Sequence, residues 1–315
     1  MPCPNIESMQ KPTFDPGLTQ QVNGTLRRAI EKDGSFNVRR RGGTWRDVHP
    51  YLHLVSMPWP GFLAVLFLSF VVLNTLFACG YYLLGASELH SGIAKAAGGE
   101  FMIDFFFSAQ TLTTVGYGSI WPMGLGANLL AAFEAMCGLM GFALATSLLY
   151  GRASRPSAKI RYSENLAVAP YMDGTSLQFR VVNRRRNSIM ELEVTMVLMD
   201  VEGPPGALKR VYKPLKLERD KVLFFPVTWT IVHPIDQDSP LHGKTAADLQ
   251  RLQSEFMILL RGYDDTFNQT VHSRYSYRYD EVVWGARFAP AFHIGPGGDI
   301  ILEVDKVGDL MRGQA

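Results

Sequence analysis

Cysteine is scarce in this chain, which contains only Cys3, Cys79 and Cys137 among its 315 residues. Two of the three lie inside hydrophobic runs. Disulfide scaffolds and zinc sites need paired, closely spaced cysteines, and this chain has no such set. The scarcity argues against both classes of protein and is consistent with a reducing cytoplasm around any soluble part.

Excess charge is also absent. Lysine and arginine total 31 against 29 aspartate and glutamate residues, so the net charge is only +2. A global basic field, which would favour nucleic acid as a partner, is therefore not present. We also see no repeats, no low-complexity tract and no signal peptide, because a polar region precedes the first long apolar run.

Two long stretches are nearly free of charge. Residues 61–85 contain none, and residues 126–150 contain only Glu134. Each stretch is long enough to cross a hydrocarbon core of about 30 Å. We therefore predict two membrane-spanning helices within a pore domain of residues 58–153, and we predict Gly138 and Gly141 as a hinge in the second helix.

The region before the first span divides into two parts. Residues 1–43 are rich in Pro, Gly, Asn and Ser and predict a mostly irregular arm. Residues 44–57 place apolar side chains at helical spacing between basic and histidine residues, which favours an amphipathic helix at the membrane interface. An ordinary surface helix is the alternative, and Pro58 and Pro60 are expected to end it.

Between the spans lies an aromatic segment, residues 101–113, which is too short to cross a membrane. We predict a buried re-entrant helix whose first turns carry Asp104. Its carbonyl end would direct partial negative charge towards a cation.

The segment that follows predicts an ion filter, and its residues are Thr114, Val115, Gly116, Tyr117 and Gly118. Rings of backbone carbonyls from four copies of such a sequence replace the water shell of K⁺. Consecutive carbonyls point the same way when alternate residues adopt left-handed angles, which glycine does without penalty. We therefore expect K⁺ sites at Thr114, Val115, Gly116 and Tyr117, with K⁺ as the permeant ion and no cofactor.

The remainder of the chain changes to a period of two. Five segments, separated by Gly- and Pro-containing turns, alternate or are rich in β-branched and aromatic residues: 175–182, 190–199, 208–217, 222–232 and 256–260. One helix, capped by Thr245, interrupts them. We predict an all-β, immunoglobulin-like sandwich over residues 154–300 and a tail over 301–315.

This arrangement resembles the inward rectifier potassium channels, in particular their prokaryotic branch. Three motifs carry the resemblance beyond the filter: Arg155-Pro156; His233-Pro234-Ile235-Asp236-Gln237-Asp238-Ser239-Pro240-Leu241; and Ser273-Arg274-Tyr275-Ser276-Tyr277 with Asp280-Glu281-Val282-Val283-Trp284-Gly285. The resemblance implies a homotetramer with an α-helical two-span pore and a cytoplasmic β domain. It also implies a second constriction at Phe267, Asn268, Gln269, Thr270, Val271 and His272.

The resemblance places the gate at the crossing of the inner helices. Tyr150 matches the large hydrophobic residue there, and we predict Tyr150 and Phe142 as gate residues; an interfacial anchor is the alternative for Tyr150. Phe142 also matches the position where strongly rectifying relatives carry an acidic residue, so we do not expect strong polyamine-dependent rectification. Glu134 is predicted to support the filter from behind by hydrogen bonding, because an intramembrane carboxylate usually has a function.

Basic residues flank both spans and are nearly absent between them, which predicts that both termini are cytoplasmic. The resemblance to the prokaryotic branch implies a bacterial inner membrane. Arg46, Arg152, Arg155 and Lys159 are candidate contacts for anionic lipids. They are equally well explained as charges that only set the topology. The gating stimulus and the role of Arg184, Arg185 and Arg186 stay open, and His49, His53, His233 and His272 are candidate proton sensors.

Two other functions were weighed against a channel. An enzyme would have to use the loop that holds His233, Asp236 and Asp238, yet no nucleophile–base pair or phosphate-binding loop accompanies it. A membrane-tethered binding module would leave the re-entrant helix and the two spans unexplained. We therefore predict a channel and no enzyme.

Overall fold

The computed structural model describes residues 14–18, 28–39, 41–42, 49–85, 87–91, 99–155, 158–185, 187–204 and 207–312. The chain divides into two units. One is Arg41–Arg155, and the other combines Met1–Arg40 with Pro156–Ala315.

The first unit is helical. Its helices are α1 (Pro50–Ser56), α2 (Trp59–Leu84), α3 (Glu100–Leu112) and α4 (Leu125–Ala153), and β1 (Leu89–Ser91) pairs with β2 (Ile120–Pro122) in a two-stranded antiparallel sheet. Helices α2 and α4 are long and apolar enough to cross a membrane, and only 17% and 11% of their most apolar windows are buried. Their apolar surfaces therefore face outward, as the surface of a membrane protein does.

The predicted helices are present, with shifted ends. Helix α2 begins at Trp59 because Pro60 lies in the first turn, where a missing N–H is tolerated. Helix α4 extends to Ala153, three residues beyond the predicted end. Helix α1 begins at Pro50, because His49 is its extended N-cap residue, and is therefore shorter than the predicted helix of residues 44–57. Residues 44–48, including Arg46, lie outside the described residues.

The second unit is built from strands and one short helix, α5 (Ala246–Arg251). Its strands are β3 (Ile160–Tyr162), β4 (Leu166–Tyr171), β5 (Gly174–Asn183), β6 (Ile189–Glu202), β7 (Lys209–Pro214), β8 (Lys221–Phe224), β9 (Thr228–Ile235), β10 (Glu255–Asp264), β11 (Gln269–Arg278), β12 (Val282–Trp284), β13 (Ala286–Phe288), β14 (Phe292–Ile294), β15 (Ile300–Leu302) and β16 (Leu310–Arg312). Short 3₁₀ turns occupy Tyr279–Glu281 and Val304–Gly308.

Ten of these strands form two five-stranded sheets, and the other four form the pairs β13–β16 and β14–β15. One sheet has the order β11-β10-β6-β7 with β8 on β6, and the other has the order β12-β4-β5-β3 with β9 on β5. Among the strand pairs of the described residues, only β12–β4 is parallel. Their inner faces share one apolar core, in which Phe179, Leu198, Phe256 and Tyr277 are fully buried. The predicted sandwich of immunoglobulin type is confirmed.

Several strand predictions were wrong in detail. The segment 222–232 is not one strand but two, β8 and β9, because Pro226 cannot donate to a ladder and interrupts the run. Strands β3, β4 and β11 were missed. The predicted boundary at residue 300 falls within β15, and β16 pairs with β13, so residues 301–312 are part of the folded unit.

Residues 28–32 of the N-terminal arm, which was predicted to be mostly irregular, make defined contacts with the β unit. The backbone N–H groups of Ala29 and Ile30 donate to the carboxylate of Glu255, and Arg28 and Lys32 pair with Glu281. Ile30 is 5% exposed and joins an apolar cluster on the outer face of the first sheet. Two buried or half-buried carboxylates therefore hold this part of the arm to the β unit.

Candidate functional site

The filter segment follows the end of α3 without a break. The backbone N–H of Val115 donates to the carbonyl of Gln110 at 3.0 Å, so the segment is tied to the last turn of that helix. Thr114, Gly116 and Gly118 have φ angles of 57°, 54° and 77°. Alternate residues thus have left-handed backbone angles, as the filter prediction requires. The sequence indicated these angles at the two glycines but not at Thr114. This alternation turns successive carbonyls in one direction.

The segment after Gly118 leads into the β1–β2 sheet. Strand β2 begins two residues after Gly118, and the ring of Trp121 lies 4.2 Å from that of His90 on β1. The Glu88 carboxylate lies at the start of α4, 3.4 Å from the N–H of Ala127. A negative charge at this helix N-terminus is favourable. The sequence placed Glu88 only in a polar loop.

Gly138 lies where α4 packs against the end of α3, the helix that leads into the filter segment. A Cβ at this position would stand 2.0 Å from the carbonyl oxygen of Leu112, the last residue of α3. At Gly141, one turn further along, nothing lies within 4 Å of an added Cβ. The two glycines that were predicted together as a hinge therefore differ: Gly138 permits close helix packing, whereas Gly141 is open. The hinge role of both stays a prediction.

A cavity of about 520 Å³ lies below the filter, between α2 and α4. Its walls include Thr113, Thr114, Gly138 and Phe142. Phe142 is 74% exposed and Tyr150, two turns further along α4, is 73% exposed. Both predicted gate residues therefore present their rings outside the packed face of their own chain.

Glu134 lies on the packed face of α4, one turn before Gly138, and is fully buried. Its carboxyl oxygens lie 2.6 Å from the Tyr81 hydroxyl on α2 and 2.5 Å from the Ser108 hydroxyl on α3. It thus contacts the helix that leads into the filter and does not line the cavity described above. Its partners were not predicted, although polar residues within apolar spans are the signal that points to such a cluster.

Arg152 has protein partners that the sequence did not suggest. Its two terminal nitrogens donate to the carbonyls of Leu54 and Met57, at 2.6 and 2.7 Å, where α1 ends. Its guanidinium also lies over the rings of Trp59 and Phe62, at 4.8 and 4.5 Å. The arginine therefore fastens the end of α4 to the corner between α1 and α2. Both terminal nitrogens are hydrogen-bonded to backbone carbonyls of the same chain.

We expect Arg152→Gln to destabilise this corner, since hydrogen bonds from a charged donor contribute about 1.5–3 kcal/mol. The measurement is the unfolding midpoint of the purified protein in detergent. Arg155→Gln is the matched control, because Arg155 lies one turn further along and is exposed. Equal decreases of the unfolding midpoint in the two variants would contradict the role of Arg152 in fastening α4 to this corner.

The other predicted lipid contacts differ among themselves. Arg155 and Lys159 are exposed, and Arg46 lies outside the described residues. The predicted lipid role of all four basic residues stays a prediction.

The predicted constriction loop is shorter than expected. Phe267 and Asn268 lie in the turn of residues 265–268, but Gln269, Thr270, Val271 and His272 belong to β11 and pair with β10. Val271 is only 4% exposed, because alternate residues of a strand point to opposite faces. The buried Asp264 carboxylate accepts from the N–H of Thr266 at 3.1 Å and so shapes the turn.

His233 lies near the end of β9, in the interior of the β unit, and is bonded to the loop that follows that strand. It is 2% exposed; Nδ1 donates to the carbonyl of Lys216 at 2.5 Å, and Nε2 accepts from the Ser239 hydroxyl at 2.8 Å. Because a carbonyl only accepts, the proton lies on Nδ1. Burial lowers the pKa of His233. Its environment is that of a structural residue that keeps the imidazole neutral.

This environment predicts a pH dependence of stability. The folded state disfavours the protonated imidazole, whereas the unfolded state binds a proton below about pH 6.5. Stability should therefore fall as the pH drops through about 6.5, and more steeply in the wild type than in His233→Gln. Unfolding midpoints between about pH 8 and about pH 5 measure this. His242→Gln, at an exposed position in the loop that follows β9, should keep the wild-type slope.

Comparison with known proteins decides the family. The family model described as "Inward rectifier potassium channel C-terminal domain" matches residues 160–309, and the model described as "Ion channel" matches residues 69–153. The inward rectifier potassium channel Kirbac3.1 of Paramagnetospirillum magnetotacticum is 36% identical over 289 residues, covering 90% of this chain and 96% of that protein. This chain belongs to the inward rectifier potassium channel family.

A more distant member of this family is human. ATP-sensitive inward rectifier potassium channel 11 is 26% identical over 84% of this chain and 73% of its own. The resemblance to the prokaryotic branch, and the fold class of a two-span pore with a β sandwich, are thereby confirmed. A solved Pseudomonas fluorescens DNA glycosylase AlkC aligns over 57% of this chain and 48% of its own at 12% identity, with a TM-score of only 0.19.

Proposed function

We propose that this protein conducts K⁺ passively through a homotetrameric pore. The observation that carries the proposal is the alternation of left-handed residues from Thr114 to Gly118, which directs successive carbonyls the same way. One chain supplies a quarter of each carbonyl ring, so four copies are required. The 53% and 78% exposure of Val115 and Tyr117 in a single chain supports such partners.

The gate of the proposed pore lies at Tyr150, with Phe142 above it on α4. Both side chains are large, apolar and exposed, and four such rings around an axis close a water-filled passage by dewetting. An anchor at the membrane interface is the alternative for Tyr150. Single-channel recording distinguishes these roles: Tyr150→Ala should raise the open probability, whereas an unchanged open probability would contradict the gate.

In the proposed topology, the two spans cross a bacterial inner membrane and both termini lie in the cytoplasm. The excess of Lys and Arg next to the cytoplasmic ends of both spans supports this topology. The β unit then lies in the cytoplasm, where it modulates the pore. Phe267 and Asn268, at the turn after β10, are the part of the predicted constriction loop that stays a candidate for the second narrowing.

Anionic lipids are proposed regulators through Arg155 and Lys159, whose charges are exposed. Arg152 is a weaker candidate, since backbone carbonyls already accept from its two terminal nitrogens. Recording wild type and Arg155→Gln in vesicles with and without anionic lipid tests this. A lipid response that Arg155→Gln leaves unchanged would favour the alternative, in which these charges only set the topology.

Catalysis has no comparable support. Both ring nitrogens of His233 are bonded within the β unit, and Asp236 accepts from the N–H of Asp238. In the described parts of the chain, no group of three or more His, Cys, Asp or Glu side chains is placed to hold a metal ion. The function that we propose is that of a channel, not an enzyme. It needs no cofactor, has K⁺ as its permeant ion and has no nucleic-acid partner.

A further inference from the structure

Four polar side chains form a buried cluster among the three longest helices. The intramembrane cluster consists of Asn74 and Tyr81 on α2, Ser108 on α3 and Glu134 on α4, and none is more than 1% exposed. Ser108 Oγ lies 2.5 Å from Glu134 Oε1 and 3.1 Å from Asn74 Oδ1, and the Tyr81 hydroxyl donates to Glu134 Oε2 at 2.6 Å. The cluster is thus one continuous chain of hydrogen bonds.

Ser108 cannot donate to both of its neighbours. A serine hydroxyl has one proton and two acceptor lone pairs. Asn74 Oδ1 and an ionised Glu134 would both need that proton. In one of these two contacts, the neighbour of Ser108 must therefore be the donor and Ser108 the acceptor.

The orientation of the Asn74 amide decides which neighbour donates to Ser108. Asn74 Nδ2 donates to the backbone carbonyl of Phe70 at 2.7 Å. A carbonyl oxygen only accepts, so the amide nitrogen must face Phe70 and the amide oxygen must face Ser108. Asn74 Oδ1 also only accepts, so the Ser108 proton goes to Asn74.

With its proton directed to Asn74, Ser108 must accept from Glu134. We propose that Glu134 is a neutral carboxylic acid that donates from Oε1 to Ser108, and that Asn74 sets this direction. The chain then runs from Tyr81 to Glu134, to Ser108 and to Asn74, and every proton has an acceptor. The alternative, an ionised Glu134, leaves the buried Asn74 oxygen without a donor, which is unfavourable.

The surroundings of Glu134 agree with a neutral group. Its polar contacts are the Tyr81 and Ser108 hydroxyls, and no lysine, arginine or histidine among the described residues pairs with it. An isolated carboxylate buried between apolar helices is strongly disfavoured. An uncharged chain ties α3, which carries the filter, to α2 and α4. Glu134 is thus a positioning residue, a role that rests on the proposed channel function.

Infrared difference spectroscopy of the full-length protein in lipid tests the protonation directly. Wild type minus Glu134→Gln should show the C=O stretching band of a protonated carboxylic acid at neutral pH. Asn74→Leu removes the acceptor that orders the chain, frees the Ser108 proton for Glu134 and should weaken this band. Thr75→Val is the matched control on α2, because the Thr75 hydroxyl donates only to the carbonyl of Val71, and it should keep the band.

Unfolding midpoints of Glu134 variants provide a second test of the proposal. A glutamine amide donates to Ser108 and accepts from Tyr81 as the neutral acid does, so Glu134→Gln should keep the wild-type unfolding midpoint and Glu134→Val should lower it. A carboxylate signal in place of the acid band, or a Glu134→Gln midpoint as low as that of Glu134→Val, would overturn the proposal. Because neither readout requires ion flux, failure here is distinguishable from failure of the channel function.

Discussion

Replacing Gly138 with alanine is expected to eliminate most of the folded protein and, with it, the proposed tetramer. The added methyl group would stand 2.0 Å from the carbonyl oxygen of Leu112, and that atom is backbone at the end of α3. Backbone cannot rotate away as a flexible side chain does. Overpacking a well-packed site costs about 1–3 kcal/mol, occasionally more, and each of four chains would bear it.

Gly141 provides the matched control for this prediction. Nothing lies within 4 Å of a Cβ at Gly141, and alanine is favoured over glycine in a helix by about 1 kcal/mol. Size-exclusion chromatography in detergent should show normal tetramer for Gly141→Ala and a large loss for Gly138→Ala. Equal yields would contradict the close packing of α3 against α4.

Gly118→Ala is expected to abolish K⁺ selectivity while leaving the fold intact. Gly118 has a φ of 77°, and a left-handed conformation costs an L-residue with a Cβ roughly 1–2 kcal/mol in each chain. The strain is relieved when the peptide turns, which removes a carbonyl from its ring. Reversal potentials measured with K⁺ and Na⁺ on opposite sides of a bilayer should fall towards zero.

Ser119→Ala is the control for this substitution, since Ser119 directly follows the filter and has no positive φ. It should keep the wild-type reversal potential. A selective current in Gly118→Ala would mean that the left-handed geometry of this residue is not what orients the carbonyls.

Elements that depend on local chemistry could be predicted from the sequence. The spans follow from uncharged length, the filter from its glycines, and α5 from the capping box in which Thr245 and Asp248 bond each other's backbone. Each signal lies within one short segment. The β domain was predicted as a class for the same reason, although Pro226 divided one predicted strand into two.

Contacts between segments could not be predicted in this way. Which face of α4 meets α3 depends on the rotation of each helix, so the pairing of Glu134 with Ser108 is visible only in three dimensions. The two hydrogen bonds of Arg152 join residues 98 and 95 positions apart, and its sequence context suggested lipid instead. The different surroundings of Gly138 and Gly141 have the same origin.

Flux into liposomes tests the central claim most directly. Purified protein should be reconstituted into vesicles with a K⁺ gradient, and uptake of K⁺ and of Na⁺ should be followed in parallel, with and without barium. We predict K⁺ uptake that greatly exceeds Na⁺ uptake, that barium abolishes, and that Gly118→Ala loses. Equal uptake of the two ions, or no uptake above empty vesicles in any lipid, would contradict the account of Thr114–Gly118 as a potassium filter.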